Sequence, residues 1–182
     1  HFAFRANLVD AHATALERVF MTSAVDNVVV GSDGWLYYAG TMPDYQRSNS
    51  LSDRALSNVA YNLGLMERYV RAQGKGFCVV VAPNKASLYP EHLPYYELAG
   101  EGESNLQRLE TLLDERGVTH VDLVEALSQA EGTLYYARDS HWNDAGALVG
   151  YRAIMEALGR EPDAYSEQAP SSQGHVGDVD GM

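Results

Sequence analysis

The chain has 182 residues, of which 46% are apolar, enough to close one hydrophobic core at the usual length of a single domain. Its 25 acidic residues against 13 basic ones leave a formal charge of −12, which repels a phosphate backbone over most of the surface and argues against nucleic acid as a partner. No stretch approaches the roughly 20 apolar residues of a membrane span, and the single Cys78 sits in an apolar run as a small hydrophobe with no disulfide partner.

Taken in chain order, Leu8, Ala11, Ala15, Leu16, Val19 and Phe20 fall near helical spacing and predict a short amphipathic helix. Val28-Val29-Val30, Gly31-Ser32-Asp33-Gly34 and Trp35-Leu36-Tyr37-Tyr38 read as strand, tight turn and strand, a β-hairpin. Thr41 to Asn49 is polar, aperiodic and carries Pro43, so it reads as a loop. Ser52 is placed to cap a helix whose inner face is Leu56, Val59, Ala60, Leu63, Met66 and Val70, stopped by Gly74.

Phe77 to Ala82 is wholly apolar and reads as a buried parallel strand. A helix from about Ser104 through Leu106, Leu109, Leu112 and Leu113 to Gly117 follows, then a strand at Thr119 to Leu123, a short helix near Val124 to Ala130 and a strand at Thr133 to Tyr136. Asn143 caps the last helix, with Ala147, Leu148, Tyr151, Met155 and Leu158 as its inner stripe and Gly159 as its stop. The alternation of strands and helices predicts an α/β domain with a mostly parallel sheet flanked by helices. Residues 1–182 are expected to form one such domain, with 160–182 as an irregular, linker-like tail.

In a parallel sheet, ligands bind outside the carboxyl ends of the strands. Two segments fall there: Pro83-Asn84-Lys85, and Asp139-Ser140-His141-Trp142. Residues i and i+2 of an extended segment project to one side, so Asp139 and His141 can flank one substrate position. Asp139 would hold one tautomer of the imidazole while His141 takes a proton from a hydroxyl; the same residues are equally at home in a turn with capping side chains. Asn84 and Lys85 read either as donors to an oxyanion or as a turn and a helix cap. Trp35, Trp142 and the tyrosines at 37, 38, 89, 95 and 96 read as core or as platforms for sugar rings. Ser32 stands on a tight turn after a Val-rich strand, as a nucleophile would, although a Gly-x-Asp-Gly hairpin turn explains the same glycines. His12, His92, His120 and His175 lack ligand spacing, and no metal site is expected.

Three blocks carry a family resemblance: Gly31 to Tyr38, Ala82-Pro83-Asn84-Lys85-Ala86-Ser87-Leu88-Tyr89-Pro90, and Asp139-Ser140-His141-Trp142-Asn143-Asp144-Ala145-Gly146-Ala147. In order and spacing the chain resembles the AlgX/AlgJ-type SGNH hydrolase-like domain and the related DHHW proteins. The resemblance implies a flavodoxin-like SGNH fold and acetyl transfer onto or off an extracytoplasmic polysaccharide, without a cofactor. It assigns Asp139 and His141 to a Ser-His-Asp triad and implies a membrane-bound O-acyltransferase as acyl supplier. In the family the nucleophilic serine follows the Asp-x-His block on a later strand, after a Gly-Asp-Ser or Gly-Thr-Ser turn. No such turn follows Trp142 here, and Gly177-Asp178-Val179 looks like the spacer before it. The expectation is therefore a domain truncated at both ends, with the nucleophile beyond this sequence; the alternative is a non-catalytic polysaccharide-binding or assembly module with the same fold.

Overall fold

The computed structural model describes residues 7–9, 11, 12, 26–165 and 177–179. Most of the helix expected over residues 8–20 lies outside the described residues.

The hairpin forms as expected. Strands β1 (Val28–Val30) and β2 (Leu36–Tyr38) pair antiparallel, with Val28 opposite Tyr38 and Val30 opposite Leu36. Their turn is a short 3-10 segment over Ser32–Gly34, closed by the Gly31 amide on the Trp35 carbonyl at 2.8 Å. Asp33 (φ 55°) and Gly34 (φ 76°) take left-handed conformations there, which Asp and Gly tolerate best. Gly31 has a second constraint, because a Cβ on it would overlap the His92 carbonyl.

Thr41–Asn49 is more ordered than a loop. A 3-10 turn over Ala39–Thr41 leads into α1 (Met42–Tyr45), and Pro43 falls in the first helical turn, where its missing N–H is harmless. Helix α2 (Asp53–Ala72) is capped by Ser52, whose Oγ accepts from the Ala55 amide, and its chain leaves through Gly74 at φ 71°. Its inner face is rotated from the expected stripe. Leu56, Ala60, Gly64 and Glu67 are buried, whereas Val59 and Met66 are exposed. Glu67 is tolerated inside because Arg71 Nε and Thr119 Oγ1 both donate to Oε1 at 2.8 Å.

The parallel ladder is present but short. Strand β3 (Val79–Val80) pairs with β4 (His120–Val121), Val79 opposite His120 and Val80 opposite Val121, and both strands are half-buried. Between them lie α3 (Lys85–Leu88), a 3-10 turn over Pro90–His92 and α4 (Asn105–Glu115). Helix α4 carries a complete capping box, Ser104 Oγ on the Gln107 amide and the Gln107 side chain on the Ser104 amide. Helix α4 packs on α2 around Ala60, Leu113 and Val118.

Helix α5 (Leu123–Ser128) follows β4 directly, capped by Asp122, and packs on α6 (Asp144–Ala157). Thr133–Tyr136 is not a strand of the parallel sheet. It folds back on the segment that follows it, making one antiparallel bridge between Tyr135 and Trp142, so its β propensity is satisfied locally. On α6 the buried positions are Gly146 and Gly150, with Val149 and Ala153 packed on the main core; Leu148, Tyr151, Met155 and Leu158 of the expected stripe are half-buried, and Ala147 is exposed. Gly146 lies so close to the Leu134 carbonyl that a Cβ would overlap it, and Gly150 makes room for the Trp142 ring.

The main core joins Trp35, Tyr37, Met42, Ala86, Leu123, Leu127, Leu134 and Tyr135. Its polar tips find acceptors: Tyr37 donates to the Tyr89 carbonyl and Tyr135 to that of Pro83, both at 2.6 Å. Within the tail, Gly177 and Val179 are buried, and Val179 joins Val28, Val30 and Leu36 in a separate apolar cluster.

Candidate active site

Residues 134–143 form a narrow loop that presents the Asp-Ser-His segment. The Tyr136 amide donates to the His141 carbonyl at 3.2 Å and the Asn143 amide to the Leu134 carbonyl at 2.8 Å. Asn143 reinforces the closure, donating from Nδ2 to the Thr133 carbonyl while Oδ1 caps α6 at the Gly146 amide. The hairpin attaches from the other side through the Leu36 amide on the Ala137 carbonyl at 2.8 Å.

Within this frame Asp139 and His141 come together as the spacing predicts. Asp139 is 4% exposed, and its Oδ1 lies 2.7 Å from His141 Nδ1 and accepts the His141 amide at 2.9 Å. The imidazole itself reaches outward, its side chain 71% exposed. The hydrogen bond to Asp139, and then the negative charges of Asp139 and Asp178, raise its pKa above the ordinary histidine value. With Nδ1 held by a carboxylate, Nε2 is the nitrogen left for a reacting group.

Asp178 is the residue that the sequence reading passed over as spacer. Its carboxylate accepts the Ser140 amide at 2.8 Å and the Ser140 hydroxyl in a short hydrogen bond, and it lies 3.5 Å from His141 Nδ1. The nearest ligand-type atoms of Asp139, His141 and Asp178 are within 4.8 Å of one another. An Nδ1 proton aimed at the Asp139 carboxylate satisfies this contact without a cation.

Lys85 stands beneath the loop rather than at an open carbonyl site. It is 4% exposed, and Nζ lies 2.8, 2.8, 2.7 and 3.2 Å from the carbonyl oxygens of Leu36, Tyr136, Ala137 and Asp139. The ammonium also sits 4.6 Å from the Trp35 ring centroid and 5.1 Å from that of Tyr37. Burial pushes its pKa down to about 8, opposed by Asp139 and Asp178, and the surrounding carbonyls favour the charged form at neutral pH. The structure brings Lys85 to the Asp139–His141 loop, with its protons turned to the backbone.

Asn84 faces elsewhere. Its Nδ2 donates to Asp44 at 3.1 Å, and it lines a cavity of about 610 Å³ beyond β3, beside Arg47, Val81, Glu110 and Asp122; neither Asp139 nor His141 borders that space. Trp142 is half-buried against the main core. Trp35 is core, stacked on His92 at 4.4 Å between centroids. Tyr95 and Tyr96 are exposed and meet edge to face. Ser32 Oγ contacts His92 Nδ1 at 3.2 Å and Asp33 at 3.3 Å; Asp33 approaches that same nitrogen at 3.3 Å. A triad uses the two imidazole nitrogens separately, one for the serine and one for the acid, and this cluster does not.

A buried aspartate holding an exposed histidine on the loop before α6 is an acid–base arrangement, and comparison with known proteins gives the family that carries it. The family model described as "SGNH hydrolase-like domain, acetyltransferase AlgX" matches residues 28–180, and the chain belongs to this family. It is 29% identical over 149 residues to the "Probable alginate O-acetylase AlgJ" of Pseudomonas aeruginosa, covering 81% of this chain and 36% of that protein. The protein of the same name from Pseudomonas syringae pv. tomato is 25% identical over 173 residues, covering 91% of this chain and 43% of its own. The chain thus spans less than half the length of these relatives. Among solved structures, the O-acetyltransferase domain of Pseudomonas putida AlgJ superposes with a TM-score of 0.62 at 22% identity, covering 84% of this chain and 56% of that one. Pseudomonas aeruginosa AlgX gives 0.51 at 18% identity, covering 79% and 33%. The fold is therefore SGNH hydrolase-like, as the resemblance implied.

Proposed function

We propose that this chain supplies the acid–base half of a polysaccharide O-acetyltransferase site, with His141 as the proton carrier and Asp139 as the carboxylate that fixes its tautomer. One observation carries the reading: a buried Asp139 holds Nδ1 of an exposed His141 at 2.7 Å, which leaves Nε2 as the nitrogen for proton transfer. Family membership supports the acyl chemistry, and the relatives named alginate O-acetylase support a polysaccharide acceptor.

In this mechanism a serine from the rest of the protein attacks the carbonyl of an acetyl donor while its proton passes to His141. Collapse of the tetrahedral adduct expels the donor's leaving group, which takes the proton from His141, and leaves an acetyl-serine. A sugar hydroxyl then gives its proton to His141 as its oxygen attacks the acetyl carbon, and His141 returns that proton to the departing serine oxygen. Lys85 acts by positioning the loop. The setting is extracytoplasmic, with a membrane-bound O-acyltransferase as acyl supplier, in line with the resemblance to polymer-modifying envelope proteins.

The test uses the full-length protein with p-nitrophenyl acetate as donor and alginate oligosaccharides as acceptors, scored as acetyl additions by mass spectrometry. His141→Ala is expected to lower transfer by about 100-fold or more. Undiminished transfer removes His141 from the chemistry, and oligosaccharide binding without transfer replaces this reading with the binding module. The 182-residue chain alone is expected to turn over little acetyl ester. His141-dependent labelling of Ser32 by a serine-directed phosphonate would instead make Ser32 the nucleophile.

A further inference from the structure

The segment Gly177–Val179 is anchored at three consecutive residues, each by a different kind of contact. Val179 is 3% exposed among Val28, Val30 and Leu36, so the back of the hairpin seats it. Gly177 lies against the backbone of the acid–base loop so closely that a Cβ would overlap the Arg138 carbonyl, and the Asp139 amide is the next neighbour. Between them, Asp178 turns both its main chain and its side chain onto the site. Its amide donates to Asp139 Oδ2 at 3.3 Å, while its carboxylate takes the Ser140 amide at 2.8 Å and the Ser140 hydroxyl as well.

Asp139 Oδ1 is already occupied by the amide and Nδ1 of His141. The Asp178 amide therefore supplies a donor to the other oxygen, and together the three hydrogen bonds restrain the carboxylate plane. At 3.5 Å from Nδ1 the Asp178 carboxylate is too far for a good hydrogen bond, but close enough for its charge to favour the imidazolium. Transfer of a proton to His141 creates positive charge at this ring, and a second fixed anion beside it lowers the energy of that state.

We infer that Asp178 is a second positioning carboxylate of the Asp139–His141 site, latched onto the loop through Ser140 and seated there by Gly177 and Val179. The catalytic part of this inference rests on the acyl-transfer reading above, whereas the latch and its effect on the imidazole do not. Among the described residues, the charged groups facing His141 from the elements around it are Asp139 on its own loop and Asp178 on the latch. Lys85 lies below, committed to carbonyls, and Arg138 precedes the pair in the chain.

The experiment is a pH titration of the His141 imidazole by proton–nitrogen NMR in the 182-residue chain, which needs no enzymatic turnover. Asp178→Asn keeps the shape and the backbone contacts and removes one charge. It is expected to lower the His141 pKa by about half a unit, the scale of one screened charge at this separation, while Asp178→Glu restores most of the shift. Gly177→Ala, which unseats the segment, is expected to lower it similarly. An unchanged His141 titration in Asp178→Asn overturns the proposal. Should that variant fail to fold, the parent chain still decides: the Ser140 amide is expected to exchange about tenfold slower than an unprotected amide, and unprotected exchange there contradicts the latch. An imidazole that titrates as expected in a full-length protein without acetyl transfer would sink the acyl-transfer reading and leave the latch standing.

Discussion

The ammonium of Lys85 donates to the backbone carbonyl of Asp139 at 3.2 Å, so the residue that orients His141 through its side chain is itself held through its main chain. Lys85 opens α3 directly after Asn84, and Asp139 lies in the loop before α6. The two blocks expected to share one rim do meet, but as a clamp and its load.

Lys85→Met keeps the length of the side chain and removes the ammonium donor from four carbonyl oxygens, of which that of Ala137 keeps the Leu36 amide. It is expected to destabilise the fold by about 3–5 kcal/mol, measured by urea unfolding. Lys85→Arg is expected to rescue little, because a planar fork cannot replace a compact ammonium surrounded by four carbonyls and two rings. A loss below about 1 kcal/mol in Lys85→Met would mean that the carbonyls find other donors.

Gly146→Ala places a methyl group against the Leu134 carbonyl, with the Trp142 Cβ at 2.9 Å as the next neighbour. In an exposed helix this change is favourable by propensity. Here overlap with backbone is expected to dominate and cost about 2 kcal/mol, with chemical-shift changes reaching the His141 loop. A stabilised variant would show that α6 is free to move off the loop.

Glu110 has its pKa raised to about 7, chiefly by burial and further by Asp122, with His120 opposing. Its folded pKa lies above the unfolded value, so the folded state binds more protons between about pH 4.5 and 7 and stability falls as pH rises through that window. Glu110→Gln removes this dependence and is expected to be more stable than the parent at pH 8 by about 1 kcal/mol after solvent screening, with little difference at pH 4. Parallel stability–pH curves for the two proteins would contradict it.

Legibility in the sequence followed the range of the interaction. The hairpin, the Ser52 and Asn143 caps and the Asp139–His141 pair were readable because each is decided within a few residues. The apolar run Phe77–Ala82 marked where β3 lies but not its ends, because pairing depends on the partner chain at His120–Val121. Thr133–Tyr136 was misread as a sheet strand, since periodicity does not reveal that Tyr135 pairs with Trp142 in the same loop. The inner face of α2 shifted toward Glu67 because Thr119, remote in sequence, supplies its hydrogen bonds. Lys85 was noticed, but only tertiary structure shows its protons spent on the hairpin and the loop. Asp178 acts 38 residues after Ser140, and no local pattern marks such a contact.

The claim that His141 is the base, held by Asp139, is tested most directly by the pH profile of acetyl transfer in the full-length protein. Because the Asp139 hydrogen bond raises the His141 pKa, the imidazole is neutral, and able to accept a proton, only above that raised value. The rate is expected to climb through a single acidic limb whose midpoint lies above 6.5, the ordinary histidine value, and matches the His141 pKa titrated by NMR in the same protein. Asp139→Asn is expected to lower the rate by about 10⁴-fold through loss of the correct tautomer. A limb that does not follow the titration of His141, or an Asp139→Asn protein that keeps the parent rate, would contradict the account.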